Sequence, residues 1–337
     1  MRKGLAMYHQ FKFPLVFASW LSPWLAFALL VAAPATQAAE PALQRIRMAT
    51  VTTTDLGAFE RDYSRWLGYQ VRERGRVSQA LARSWGAPAM QGRNYVLLSS
   101  KAAPDVFVRA VQTKRTPAGY APLMTHGWNA IEIIVDDPDA TYAKLRESPF
   151  RVIGEPAPLG GYPSIRAFQV VGPSGEVLYL TAETGDRSKS ILPLPGGDVG
   201  RIFIMVLAGP DIDALLDFYS TKFDMARGTA RKRTVGVIKR AQSLGDDETP
   251  LATMRLAQHG NLLEFDGYSA KATTRPVERG ELPPGIASTS FAVKNLDVLG
   301  VEFVAPPAKL DGLAYGDRRV ASVRGPAGEL IELIEEN

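Results

Sequence analysis

The sequence predicts an α+β protein built from four strand–helix–strand–strand–strand (βαβββ) modules. Three observations predict it. Two pairs of motifs recur about half a chain apart. Four strand-like runs each end at an Asp or Asn that opens a helical stretch. Two Gly-Pro-x-Gly turns each feed a closing strand.

Residues 1–39 read as a bacterial-type secretory signal peptide. Arg2, Lys3 and Lys12 supply the charge, and an apolar run extends from Phe13 to Ala33. The small residues Ala35-Thr36-Gln37-Ala38-Ala39 then offer cleavage after Ala38 or Ala39. The alternative is an uncleaved inner-membrane anchor, since the run approaches spanning length. Pro14, Ser19, Ser22 and Pro23 interrupt it and favour cleavage. The expected location is periplasmic or secreted, with membrane contact only through a retained leader.

The 337 residues are 46% hydrophobic and 22% charged, the balance of a soluble globular chain. The formal charge of +4 includes three basic residues of the leader, so the remainder is close to neutral and demands no nucleic-acid partner. Cysteine is absent. That excludes disulfide staples, thiolate metal sites and cysteine nucleophiles.

The internal repeat carries most of the reading. Asp55-Leu56-Gly57-Ala58-Phe59 leads to Tyr63-Ser64, and Asp211-Ile212-Asp213-Ala214-Leu215 leads to Tyr219-Ser220 with the same spacing. Gly172-Pro173-Ser174-Gly175-Glu176 is echoed by Gly325-Pro326-Ala327-Gly328-Glu329. A half of about 155 residues is therefore duplicated. Each half divides again, with opening strands over 48–54, 130–136, 204–210 and 288–294, each followed by Asp55, Asp137, Asp211 or Asn295. Such residues cap helices because the side-chain oxygen accepts from an orphan backbone N–H. Leu56, Phe59, Tyr63 and Leu67 fall on one face of the first helix. Shorter strands complete each module, and the basic run Arg227 to Arg240, interleaved with Val235, Val237 and Ile238, reads as a strand with one solvated face.

This pattern, closed by Gly-Pro-x-Gly-Glu and a short apolar strand, resembles the vicinal oxygen chelate superfamily over roughly residues 43–337. Glyoxalase I, bleomycin resistance proteins, epimerases and extradiol dioxygenases belong to it. The resemblance implies that the modules pair into two half-barrel domains, the first over 43–186, with modules 43–115 and 126–186. It implies a second over 198–337, with modules 198–270 and 284–337.

In metal-using members, His or Gln from each opening strand and Glu from each closing strand line a cup that holds a divalent ion. Carried over residue by residue, the resemblance lines one cup with Met48, Arg109, Ala130 and Tyr179. The other is lined with Ile204, Glu264, Ser288 and Glu332. The first set holds no ligand for a hard ion, and the second keeps two carboxylates without imidazole. No cofactor is expected, the alternative being a divalent cation at Glu264 and Glu332. Of three histidines, His9 is in the leader, and neither His126 nor His259 falls at a ligand position.

Two carboxyls sharing one cup would raise each other's pKa and suit proton transfer. The expected catalytic group is Glu332 with Glu264 tuning it and Ser288 orienting substrate. The bland alternative is that the glutamates are relics neutralised by a nearby arginine such as Arg255 or Arg319. Arg109 and Tyr179 are candidate substrate-binding residues, with Trp128 as an aromatic wall and His126 beside it. The segment Gly160-Gly161, Tyr162 and Arg166 is a candidate cover. The functional expectation is a metal-independent isomerase, epimerase or lyase acting on a small organic molecule, as monomer or homodimer. The alternative is a protein of the bleomycin-resistance type that only binds such a molecule.

Overall fold

The computed structural model describes residues 40–336; the expected leader lies outside the described residues. No described helix is long and apolar enough to cross a membrane. Module 1 comprises β1 (Leu43–Thr53), α1 (Leu56–Leu67), β2 (Gln70–Arg76), α2 (Gln79–Ser84), β3 (Asn94–Ser99) and β4 (Phe107–Gln112). Module 2 comprises β5 (Gly127–Val135), α3 (Pro138–Leu145), β6 (Arg151–Leu159), β7 (Tyr162–Val171) and β8 (Val177–Glu183). Module 3 comprises β9 (Val199–Gly209), α4 (Ile212–Phe223), β10 (Arg231–Arg233), α5 (Gly236–Gln242), β11 (Thr249–Arg255) and β12 (Leu262–Gly267). Module 4 comprises β13 (Gly285–Val293), β14 (Ala308–Leu310), β15 (Arg318–Arg324) and β16 (Leu330–Glu335).

The expected helix starts form for the expected reason. The Asp55 carboxylate accepts from the Ala58 N–H at 2.9 Å, and Asp211 accepts from Ala214 at 3.0 Å. Gly68 ends α1 at φ 72°, a left-handed position that favours glycine. Module 4 departs from the expectation. Asn295 accepts from the Asp297 N–H at 2.8 Å, but the result is a turn and no helix follows. Gly300 and Pro306-Pro307 interrupt the segment too soon for a stable helix. The basic run also differs: only Arg231–Arg233 is strand, and Val237 and Ile238 lie on α5.

Two eight-stranded sheets result, ordered β14-β15-β16-β13-β1-β4-β3-β2 and β10-β11-β12-β9-β5-β8-β7-β6. The expected pairing of consecutive modules is thereby corrected. Module 1 pairs with module 4 through antiparallel β1 and β13, with Ala49 opposite Thr289. Module 2 pairs with module 3 through antiparallel β5 and β9, with Ile131 opposite Met205. Each half-barrel is thus made from modules of different halves of the duplication.

The duplicated motifs explain what holds the halves together. Tyr63 of α1 donates to Glu176 at 3.0 Å, and Tyr219 of α4 donates to Glu329 at 3.2 Å. Both bonds run from a helix on one sheet to the Gly-Pro-x-Gly turn of the other. Each turn folds its backbone onto the same carboxylate, Ser174 N–H at 2.9 Å and Ala327 N–H at 2.8 Å. Around them a single apolar core joins both sheets, including Ile46, Trp128, Ile131, Met205, Leu207, Phe291 and Ile331. The helices and the outer faces of the central strands are therefore consumed in stability. The concave faces remain for function.

Candidate functional site

Side chains alternate along a strand, so residues two apart share a face. On the concave face of sheet 1/4 this gathers Met48 and Thr50 from β1, Phe107 and Arg109 from β4, Ser288 and Ser290 from β13, and Glu332 from β16. On sheet 2/3 it gathers Ala130 and Glu132 from β5, Tyr179 and Thr181 from β8, Ile204 and Val206 from β9, and Glu264 and Asp266 from β12. Tyr268 continues the β12 face, its backbone N–H bonded to Gly209 O at 2.8 Å.

The cup of modules 1 and 4 is closed by its own side chains. Glu332 is fully buried and accepts from Trp85 Nε1 at 2.7 Å, Ser290 Oγ at 2.6 Å and Tyr315 OH at 3.1 Å. The Arg109 guanidinium, also buried, stands 3.4 Å from the same carboxylate. It donates to Thr50 Oγ1 at 2.8 Å and to Tyr315 OH, and it lies 4.7 Å over the Trp85 ring. Helix α2 and Trp85, inserted between β2 and β3, cross to the module 4 arm, where Ser84 Oγ meets Ser322 Oγ at 3.2 Å. An apolar cluster that includes Leu81, Trp85, Met90 and Leu310 fills the hollow.

The cup of modules 2 and 3 is acidic. Glu132 is buried and accepts from Thr181 Oγ1 at 2.5 Å. Asp266 is buried with neither carboxylate oxygen hydrogen-bonded, and the buried Tyr268 hydroxyl is likewise unpartnered. Glu264 is half-buried and faces the exposed Thr253 of β11. Burial pushes the Glu264 carboxyl well above the usual range, and the neighbouring Asp266 and Glu132 push it further. Burial, then Glu132, raises Asp266 to about 7, and burial raises Glu132 to about 7. Helix α5 crosses from module 3 to the module 2 arm, where Arg240 bonds Ile153 O. Its Val237 and Ile238 join Ala130, Ile165, Ile204, Val206 and Leu262 as apolar walls. The two helical crossings are counterparts, α2 over one cup and α5 over the other.

The expected site residues are redistributed. Glu332 and Glu264 occupy different sheets, so the expected shared dyad does not form. The cause is the module pairing, which sends β12 and β16 to separate cups. Ser288 lies in the Glu332 cup, opposite Thr50, with its hydroxyl unpartnered; the serine that bonds Glu332 is Ser290, two residues on. Arg109 and Tyr179 are separated in the same way, and Arg109 is the arginine that neutralises Glu332. Arg319 instead pairs with Asp297, and Arg166 with Asp139 on α3, away from either cup. Trp128 is no cup wall. A bulge between Trp128 and Ala130 turns it into the core between the sheets, where it packs on Phe291 and donates to Leu330 O at 2.9 Å. His126 is half-buried, and burial followed by nearby Arg275 lowers its pKa.

Sequence reasoning missed Glu132, Asp266, Tyr268, Ser290, Trp85 and Tyr315. For Glu132 and Asp266 the signal was present. Each interrupts an apolar strand two residues after a candidate position, Ala130 or Glu264. Trp85 and Tyr315 reach the site from connecting segments and carry no such mark.

Neither cup holds the imidazole–carboxylate set that the resemblance implies for a divalent ion. In one, Arg109 already places a positive charge beside Glu332. In the other, no imidazole is present, and no group of three or more His, Cys, Asp or Glu side chains among the described residues is placed to hold a metal.

Sheet order, module count and paired concave faces together give a four-module, two-cup fold that is shared with solved structures of glyoxalase I and of a protein described as a dioxygenase. Glyoxalase I from Zea mays superposes with a TM-score of 0.57 at 16% identity, covering 86% of this chain and 92% of that one. A Bacillus subtilis protein described as a dioxygenase superposes with a TM-score of 0.59 at 11% identity, covering 88% and 86%. No protein-family model matches the chain, and no curated protein matches it.

Proposed function

We propose that this is an exported, metal-independent protein of the vicinal oxygen chelate fold that takes a small organic molecule in the cup of modules 2 and 3. There it transfers a proton, in the manner of an isomerase, epimerase or lyase. The observation that carries this reading is the buried Asp266 carboxyl and Tyr268 hydroxyl without protein partners, beside a half-buried Glu264. Buried polar groups are almost always bonded, so orphans in a hollow call for a partner from outside. Glu264 is the proton-transferring group: its raised pKa keeps a proton available near neutral pH, and its edge-facing position lets substrate approach. Glu132 and Asp266 tune it by like charge. Tyr179 and Tyr268 offer phenol donors to a substrate oxygen. The cup of modules 1 and 4 serves as scaffold, since its one carboxylate is fully bonded. The leader over residues 1–39 supports export.

The test begins with native mass spectrometry of the protein exposed to a small-metabolite extract. The captured compound is then incubated in D2O. Wild type is expected to wash deuterium into a carbon position, and Glu264→Gln to bind without exchange. Binding with no exchange by wild type assigns the protein to the binding type instead. Capture that survives Ile204→Trp, which fills the cup, removes the site assignment altogether.

A further inference from the structure

The cups differ in one respect that decides what each can hold. In sheet 1/4 the buried carboxylate has its own cation, Arg109. In sheet 2/3 three carboxyls, Glu132, Glu264 and Asp266, share a largely buried, apolar cup face with no cation bonded to any of them. A buried positive group, Arg275, lies on the Tyr268 side, and each of its three nitrogens donates elsewhere. It bonds Thr125 Oγ1 at 3.1 Å, Ile286 O at 2.8 Å and Trp128 O at 2.7 Å.

Donor and acceptor capacity is equally lopsided. Among these carboxyls one hydrogen bond is satisfied from within the protein, Thr181 to Glu132. Asp266 leaves both oxygens open, and Tyr268 adds an unpartnered hydroxyl nine-tenths buried on the same face. The walls are hydrocarbon: Ile204, Val206, Leu262, Val237 and Ile238. The complement of such a hollow is positive, rich in N–H donors, and carries an apolar body.

Resting on the reading of this cup as the ligand site, we infer that its ligand is an organic ammonium ion, a primary amine on a hydrocarbon or aromatic frame. The ammonium sits against Asp266, whose two oxygens lack donors, with Glu132 and Glu264 as neighbouring acids, and its N–H groups supply the missing donors. The hydrocarbon body lies along Ile204 and Leu262 beneath α5. Approach is from the β11 side, past exposed Thr253 and the exposed rim residue Arg255. Ligand charge then replaces the internal cation that the other cup carries in Arg109.

Binding must also release protons. The empty cup favours neutral carboxyls, and an ammonium favours charged ones. Affinity is therefore expected to rise with pH up to the amine's own pKa. The groups facing the ligand are Glu132 from β5, Tyr179 from β8, Glu264 and Asp266 from β12, and Tyr268 beyond it; Arg275 lies behind Tyr268, Arg255 at the rim, and Arg231 and Arg233 of β10 on the same side of the sheet beyond Leu251 and Thr249. The phenols stay neutral throughout, because burial raises both well above the usual tyrosine range.

The probes are phenethylamine, 2-phenylethanol, phenylacetate and magnesium alone, titrated calorimetrically at pH 6 and pH 8 into wild type, Asp266→Asn, Glu132→Gln and Ile204→Trp. Circular dichroism checks that each variant is folded. The expected result is that phenethylamine binds best and binds about tenfold or more tighter at pH 8. Its affinity should fall about 30-fold or more in Asp266→Asn, the usual cost of removing one partner of a buried charge pair, with Glu132→Gln an independent check. If 2-phenylethanol or phenylacetate binds wild type as tightly, and Ile204→Trp blocks it, the ammonium inference is overturned while the ligand cup stands. Tighter binding of magnesium, lost in Asp266→Asn, replaces the organic ion with a metal. Failure of all three organic probes to bind wild type overturns the inference and counts against the cup as well.

Discussion

The Arg109–Glu332 pair offers the sharpest check on the idea that one cup has become scaffold. Replacing Arg109 by Met keeps most of the side-chain volume but leaves Glu332 ionisable in a fully buried position. The remaining donors, Trp85, Ser290 and Tyr315, are neutral. Breaking a buried pair on one side costs about 3–5 kcal/mol, because the surviving charge has lost its counter-ion but not its desolvation. Thr50 and the Trp85 ring lose their contact with the guanidinium too, which places the expected cost in the upper part of that range. At roughly 2 °C per kcal/mol for a body this large, the melting temperature should fall by about 8–10 °C. The double variant Arg109→Met with Glu332→Gln should recover more than half of the loss, since no charge is then buried. The assay is a double-mutant cycle by urea denaturation, with thermal melts alongside. A single-variant cost below about 1 kcal/mol, the range of exposed ion pairs, would refute the reasoning; so would a double variant no better than the single one.

Two further predictions follow from the buried acids. Tyr63→Phe and Tyr219→Phe each remove a hydroxyl that donates to a buried carboxyl, and each should cost about 1.5–3 kcal/mol in urea denaturation; equal costs are expected because the bonds are repeat-related. The pH dependence has a definite sign. Burial raises Glu176, Glu329 and Asp266 to about 7 in the folded protein, above their unfolded values. The folded state therefore holds these protons more tightly, and stability present near pH 4–5 is lost as pH rises through 7. Asp266→Asn should raise the melting temperature at pH 8 and leave it nearly unchanged at pH 5. An equal gain at both values would show that Asp266 does not carry its proton to neutral pH.

What was legible in the sequence is local. The capping side chains of Asp55, Asp137 and Asp211 act within three residues, so their helices could be read directly. The Gly-Pro-x-Gly turns and the module count are equally short-range. Part of the acidic cup was legible as well, because Asp266 lies one strand repeat beyond Glu264. Residue periodicity could not reveal α5, whose valine and isoleucine fit a strand as well as a helix until contact with the module 2 arm selects the helix.

The sequence by itself determined four modules, three of them with the helix it predicts, their duplication and the absence of histidine from every expected ligand position. Only the tertiary structure decided that module 1 pairs with module 4 and module 2 with module 3, and so that Glu332 meets Arg109 while Glu264 meets Asp266 and Glu132. The physical reason lies in the opening strands. β5 and β13 are buried along their whole length, and β1 and β9 nearly so, giving similarly buried runs without an exposed face to mark a partner. Partner choice falls instead to long-range packing, the Tyr63–Glu176 and Tyr219–Glu329 bonds and the core around Trp128, between residues about 110 positions apart or more.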